Sequence, residues 1–416
     1  MTDAPLFRSR DFRLLLIGQT TSQLGSQVSG VAIPLLAVLT LDASPIELGL
    51  VTASSTLAFA LIGLPAGAWL DRWVKLPVLV ASDIARALLL ATIPLAALVG
   101  ILNITHLVVV SLLTGFARVF FDVGYQSYLP VVLGKDRVLA GNSSMEAIRA
   151  SGQVIGPGLG GGLVGVIGAA NVVLTQAVTF AVSAVCLLAI RTREAPIPVH
   201  PDRPRLGAQI REGLVFVAHN RILRATALAS AAGNFSFAIA SAVTFIFASR
   251  TLELSPLAIG VIVSVGSVSA MIGAAFTPRI SRRVGSVRII WLSLAVTGPF
   301  ALLTPLSQPG WLVLLAAVGM SVGELGQIIY AVTNVSLRQR LCPDAMLSRV
   351  NATMRVLIMG LFPLGALVGG VLGELIGLRG TLFVAGGLMV LSPIPLMAVF
   401  GRIRDIEQLE SWHRPG

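Results

Sequence analysis

Apolar residues run through this chain in long uninterrupted blocks, and the polar residues between them come in short clusters. Twelve blocks are long enough to cross hydrocarbon: 14–39, 46–70, 78–99, 104–127, 142–167, 170–190, 223–249, 256–278, 288–306, 309–335, 350–376 and 380–400. A bilayer core about 30 Å thick needs roughly 20 residues of helix per crossing. Inside hydrocarbon every backbone polar group must be satisfied by the protein itself, which a helix does segment by segment. The pattern predicts an all-α polytopic membrane protein of twelve spans. Gly-rich sequence delimits the ninth to twelfth spans least sharply.

Charge sorts the intervening clusters into two kinds. Every second loop is basic: Arg8, Arg10 and Arg13; Arg72 and Lys75; Lys135 and Arg137; seven Arg between Arg191 and Arg224. The series continues with Arg279, Arg282, Arg283 and Arg288, then Arg338, Arg340 and Arg349, then Arg402, Arg404 and Arg414. The alternate loops hold only Arg250 and Arg379. Cations gather on the cytoplasmic side, so both termini are expected in the cytoplasm, as an even number of crossings requires. The expected location is a bacterial inner (cytoplasmic) membrane, and the preference for Arg over Lys fits a GC-rich bacterium.

Composition agrees. Only 12% of the 416 residues are charged and 55% are hydrophobic, against about 25% charged in soluble domains. The net charge of +11 is spread over loops, not gathered into an arm, so no nucleic-acid partner is expected. The first apolar run is too long for a signal-peptide core and is read as an uncleaved span. Cys186 and Cys342 suggest neither a disulfide framework nor a metal cluster. No Gly-rich loop followed by Lys-Ser or Lys-Thr is present, so no ATP-driven engine is expected. His106, His200, His219 and His413 are scattered, and no convergent catalytic set emerges. An enzyme, a metal centre and a sensor with its own signalling domain are all disfavoured.

The chain also repeats itself. Ser44-Pro45-Ile46-Glu47-Leu48-Gly49 recurs 211 residues later as Ser255-Pro256-Leu257-Ala258-Ile259-Gly260, and Arg72 maps onto Arg283 at a second basic turn. In span 11, Arg355 and Pro363 keep the spacing of Arg149 and Pro157 at an offset of 206. A duplicated six-helix unit gives two pseudo-symmetric bundles, as in many secondary transporters. The expected boundaries are 1–190 for the first bundle, 191–221 for a cytoplasmic linker, and 222–416 for the second bundle and tail. Within the linker, Leu206, Ile210, Leu214 and Val217 follow helical spacing opposite Arg205, Gln209 and Glu212. They predict a short amphipathic helix on the membrane face.

Ionisable residues inside spans are costly and mark functional candidates. Arg118 and Asp122, at i and i+4 in span 4, can neutralise each other. Glu324 lies near the middle of span 10 with Gln327 one turn away. Asp122 and Glu324 are the candidates for carrying a proton, with Arg118 as partner. Asp83 with Arg86 and Glu146 with Arg149 lie nearer the ends of spans 3 and 5 and read as structural pairs. Gln19, Gln23 and Gln27 share one face of span 1, which is expected to line a central cavity because amides in lipid would lack partners. Asn234 is their counterpart in the second half. Phe120, Phe121, Tyr125 and Met320 are candidate apolar lining.

Two motifs carry a family resemblance. Gly67-Ala68-Trp69-Leu70-Asp71-Arg72-Trp73-Val74-Lys75 resembles the loop 2–3 signature of the major facilitator superfamily. It departs from that signature at Val74, where glycine is usual, and at Leu76, where a second cation is usual. The equivalent turn, Arg282-Arg283-Val284-Gly285, has Arg in place of Asp. Span 5 contains Gly152-Gln153-Val154-Ile155-Gly156-Pro157-Gly158-Leu159-Gly160-Gly161. It matches the Gly-x-x-x-Gly-Pro-x-x-Gly-Gly signature of exporters in that superfamily at every defined position.

The resemblance implies the major facilitator fold. It assigns Gly67, Asp71, Arg72 and Lys75 to a latch that holds the two halves outward-facing. Gly152, Gly156, Pro157, Gly160 and Gly161 would pack at a moving interface. The similarity is to twelve-span drug–proton antiporters, in the macrolide-efflux-like and siderophore-exporter-like branch. It implies export of small amphipathic compounds by proton antiport with alternating access. The exporter would be a monomer in the bilayer, with the proton gradient as energy source and no cofactor. A lysolipid or lipid flippase, or a dedicated siderophore or metabolite exporter, is the alternative of the same fold.

Overall fold

The computed structural model describes residues 9–70, 72–134, 137–192, 194, 206–342, 344–405 and 408. The first half forms α1 (Arg10–Leu39), α2 (Pro45–Leu70), α3 (Lys75–Leu98), α4 (Ile104–Leu133), α5 (Val138–Ile167) and α6 (Ala169–Leu188). After the linker helix α7 (Leu206–His219) come α8 (Arg221–Ile246), α9 (Pro256–Val284), α10 (Arg288–Thr297) and α11 (Leu303–Leu306). The chain then forms α12 (Val313–Leu341), α13 (Asp344–Leu375), α14 (Gly377–Leu391) and α15 (Ile394–Phe400). Among the described residues, twelve helical stretches are long and apolar enough to cross a membrane. No strand occurs among them.

Four helices overrun their apolar blocks by six residues toward the basic loops: α4 to Leu133, α9 to Val284, α12 to Leu341, and α13 back to Asp344. A helix keeps its backbone bonds beyond the hydrocarbon edge, where hydropathy no longer reports it. Two spans are interrupted. The ninth passes from α10 through a 3₁₀ stretch, Gly298–Leu302, into α11, and the twelfth breaks between α14 and α15 at Ser392-Pro393. Pro299, Pro305 and Pro393 lack the N–H that would continue the ladder.

The chain divides into two compact units, each of which takes in a helical turn from the other half of the sequence. The first is Met1–Ala43, Leu50–Arg203 and Ser255–Ser264; the second is Ser44–Gly49, Pro204–Leu254 and Val265–Gly416. In the first unit α1 packs on α5 and α6, and α3 on α4 and α6. Phe12, Leu15, Leu79, Phe121, Tyr128 and Leu187 share its core. In the second unit α8 packs on α13 and α14, and α10 on α12, around Ile290, Leu294, Tyr330 and Phe400.

The duplication is visible in the backbone. Asp42 and Glu253, 211 apart, both adopt positive φ, 50° and 56°. The residues before them close equivalent turns, Leu41 N–H to Leu36 C=O at 3.3 Å and Leu252 N–H to Phe247 C=O at 3.0 Å. Ser44 and Glu47 form a reciprocal capping box at the start of α2, and Ser255 caps Ala258 at 3.3 Å.

For α5 and α13 the offset expected from Arg149 and Pro157 is wrong. Gly160 faces the carbonyl of Val28 and Gly369 that of Ile239, again 211 apart; Gly156 meets Gln27 and Gly365 meets Ala238. Gly156, Gly160 and Gly161 therefore correspond to Gly365, Gly369 and Gly370, an offset of 209 rather than 206. Pro157 corresponds to Ala366, because close backbone approach dictates where glycine must stand and leaves the proline free to move.

The linker helix α7, expected on the membrane face, packs on the start of α13. Glu212 pairs with Arg349 at 2.7 Å, Gly213 sits against Arg349 and Thr353, and Val217 is buried with Val350 and Met354. The side chains of residues 205–210 lie outside the described set.

Candidate functional site

α3 and α4 each carry a charged pair of the first unit. Arg118 and Asp122 form the expected pair at 3.4 Å, but both side chains are accessible, at 69% and 38%. Asp83 and Arg86, read from sequence as an ordinary pair near a span end, are the enclosed ones: Asp83 is 0% exposed and Arg86 4%. Arg86 bonds the Asp83 carboxylate through Nη2. Its guanidinium lies 4.3 Å from the Phe121 ring centre and 4.1 Å from that of Phe180. A planar cation between two aromatic faces keeps much of its charge stabilisation without water. Glu146 and Arg149 also pair, at an exposed position on α5.

Tyr125 stacks on Phe121 and packs beside the first unit's core. Its hydroxyl is enclosed without a hydrogen-bond partner, so it does not offer that hydroxyl to an open cavity. Phe120 stacks with Trp69 and Trp73, both at 6.1 Å between ring centres.

The glutamine face of α1 is also corrected. Gln27 packs onto Gly156, with Gly152 close by, and Gln19 is buried at 5% exposure. The Gln27 end of this face meets α5. Within the exporter-type motif, Gly156, Gly160 and Gly161 each stand where a methyl group would collide with a neighbour. Gly161 faces Pro256 and Gly260, and Gly260 in turn faces the Pro157 carbonyl. In the second unit Gly370 repeats the arrangement: a methyl there would lie 2.8 Å from the Pro45 carbonyl oxygen.

Of the proposed latch residues, Asp71 lies outside the described residues. Gly67 does not serve close approach here, since a methyl group at that position would meet open space. Arg72 is exposed. Lys75 is held inside its own unit: Glu194 accepts its backbone N–H at 2.9 and 3.0 Å and approaches its ammonium at 3.6 Å.

In the second unit Glu324 is half-buried on α12, beside Gly266 of α9. Among the described residues it has no hydrogen bond or ion pair. That separates it from Asp122. Gln327, one turn on, donates to the sulfur of Met389 at 3.4 Å and lies against Gly233. Asn234 spends one donor on the Ser230 carbonyl. α8 and α12 thus bring Asn234 and Gln327 to one region. Sequence reading missed the buried network beside them. Tyr330 OH meets Ser230 Oγ at 2.6 Å and donates to the Thr226 carbonyl at 3.1 Å, while Asn334 donates to both hydroxyls. The spacing of Tyr330 and Asn334 at i, i+4 was the available signal.

No group of three or more His, Cys, Asp or Glu suited to a metal occurs among the described residues. Three comparisons place this geometry among known proteins. Residues 15–362 match the family model described as Major Facilitator Superfamily. The chain is 29% identical over 411 residues to the multidrug efflux pump Tap of Mycolicibacterium fortuitum, covering 95% of this chain and 96% of that one. It is 28% identical over 384 residues to Tap of Mycobacterium tuberculosis, with 88% of each covered. Among solved structures, an inward-facing bacterial homologue of the iron transporter ferroportin superposes with a TM-score of 0.77 at 17% identity, over 95% of this chain and 99% of that one. At that identity the likeness concerns the fold alone.

Proposed function

This multi-pass membrane protein belongs to the Major Facilitator Superfamily, and on that premise we propose that it is a secondary exporter of small amphipathic compounds driven by proton antiport. The observation that carries the cargo class is the near full-length similarity to proteins named multidrug efflux pumps. The exporter-type glycine motif on α5, with Gly156, Gly160 and Gly161 in tight packing, supports the same reading. Cargo is exposed to each side in turn, and a proton biases that equilibrium by binding one state better than the other. The protein works as a monomer in a bacterial cytoplasmic membrane, with both termini inside and no cofactor.

Glu324 is the primary proton carrier in this reading. A carboxyl group without a cationic partner in a partly dry setting exchanges a proton more readily than one beside an arginine. Efflux of fluorescent dyes and macrolide-like drugs from cells, with and without a protonophore, tests the proposal. The wild type lowers dye accumulation and the protonophore abolishes the effect. Glu324→Gln removes gradient-driven export, and Asp122→Asn weakens it. Export by the wild type that ignores the protonophore would refute antiport.

A further inference from the structure

The enclosed pair on α3 has no role in the mechanism above, yet among the described residues of the first unit it is the most fully buried charge. Asp83 and Arg86 are withdrawn from solvent, and neither is saturated: Asp83 Oδ2 and Arg86 Nε lack hydrogen-bond partners. A purely structural buried pair is expected to satisfy its remaining lone pairs and protons, because unmet ones are expensive. Here the cation has an alternative source of stabilisation in the faces of Phe121 and Phe180, while beyond Arg86 the carboxylate has only the Ser183 hydroxyl. The pair is thus asymmetric. The aromatic faces offset part of what Arg86 loses with the negative charge, and Oδ2 is placed to accept a proton.

The surroundings give that proton a consequence. α3 packs on α4 and α6. From α4, Arg118 and Asp122 act on Arg86, and the Asp122 carboxylate also opposes that of Asp83. Tyr125 lies behind Phe121. α6 presents Ser183 beside the carboxylate, and Cys186 follows one turn on. His106 meets Thr92 of α3 at 2.8 Å, nine residues and about 14 Å along the helix from Asp83. The two pairs together carry no net charge, and of their two carboxylates only Asp83 combines enclosure with an unoccupied oxygen.

We propose that Asp83 is a second proton-accepting carboxyl of the transport cycle, acting on the Arg118–Asp122 pair through Arg86. An O–H bond forms at Asp83 when a proton enters from the outer side and breaks when it leaves to the cytoplasm; no other bond changes. With Asp83 ionised, Arg86 is engaged and Asp122 belongs to Arg118. With Asp83 neutral, Arg86 draws Asp122 and the hold of Arg118 loosens. This assignment rests on the antiport reading, and Asp83 and Glu324 then supply one proton site in each unit.

The test uses the full-length protein in everted membrane vesicles, measuring gradient-driven drug uptake and drug-induced proton release as functions of pH. Protonophore sensitivity of the wild type tests antiport by itself. Asp83→Asn alone leaves Arg86 without a counter-charge, so the decisive variant is Asp83→Asn combined with Arg86→Gln, which keeps the site neutral. The expected result is an inserted, monodisperse protein that still equilibrates drug downhill. Its gradient-driven rate falls about tenfold or more, the equivalent of one pKa unit of lost coupling, with a displaced pH profile. An unchanged rate and profile would overturn the role of Asp83 while leaving antiport intact. If the double variant fails to insert, Asp83→Glu carries the test, since it retains the pair. A moved pH midpoint supports proton binding at this position, and an unmoved one refutes it.

Discussion

Glu194 accepts the backbone N–H of Lys75 through both carboxylate oxygens, at 2.9 and 3.0 Å, and so closes the N-terminus of α3 with a residue 119 positions away. The second unit repeats the device. Asp405 accepts the N–H of Ser286, ahead of α10, at 2.9 Å and again 119 residues away, which is the offset of 211 once more. In each unit the chain leaving the sixth helix returns to cap the third. An anion at a helix N-terminus is worth about 0.3–1 kcal/mol when exposed and up to about 2 when partly buried. The Glu194 side chain is 4% exposed and that of Asp405 42%. Glu194→Gln is expected to cost about 1–2 kcal/mol and Asp405→Asn less than about 1. Thermal unfolding in detergent would rank the two, and the reverse order would refute the capping account.

Gly160 on α5 faces the backbone of Val28, so Gly160→Ala forces α1 and α5 apart. Overpacking of this kind costs about 1–3 kcal/mol. At Gly165 on the same helix nothing lies within 4 Å of an added methyl, and Gly165→Ala should be neutral or slightly stabilising. Thermal stability of the two variants side by side separates packing from helix propensity.

Two enclosed tyrosines should respond oppositely to loss of the hydroxyl. Tyr330→Phe removes the 2.6 Å partner of the Ser230 hydroxyl, one of the two acceptors of Asn334 and the bond to the Thr226 carbonyl, at about 1–3 kcal/mol for buried groups left under-satisfied. Tyr125→Phe removes a hydroxyl that bonds nothing and should leave stability unchanged or raised. Equal losses in the two variants would show that the Tyr330 network contributes little.

Cys342, beyond the end of α12, is 6% exposed. Burial pushes its thiol above the usual cysteine range, and the nearby Arg338 cation opposes that shift without cancelling it. The reactive thiolate is therefore scarcer near neutral pH than at an exposed cysteine, and becomes abundant only at higher pH. Maleimide labelling of the folded protein should be slow and rise steeply as the pH is raised. Arg338→Gln should slow it further by removing the opposing cation. Labelling as fast as that of an unfolded control would contradict the burial.

The charged pairs show where sequence reading stops. Asp83 with Arg86 and Arg118 with Asp122 look alike as i, i+3 and i, i+4 neighbours on apolar helices. Nothing local says that one is sealed between Phe121 and Phe180 while the other stays open. The same limit moved the α5–α13 correspondence by three residues: Pro157 and Pro363 were conspicuous in sequence, but glycine against backbone set the register. The Gln19, Gln23 and Gln27 stripe was correctly placed on one face, and the identity of its neighbour was missed.

Hydropathy and charge are properties of each segment, so twelve spans, their helical state and the duplicated halves were fixed by the order of residues along the chain. A helix satisfies the backbone of a segment in hydrocarbon from within that segment. Which face of each helix meets protein depends on the shapes of its neighbours. Packing therefore decided that Asp83 is enclosed, that Glu324 stands without an ionic partner, and that Lys75 answers to Glu194.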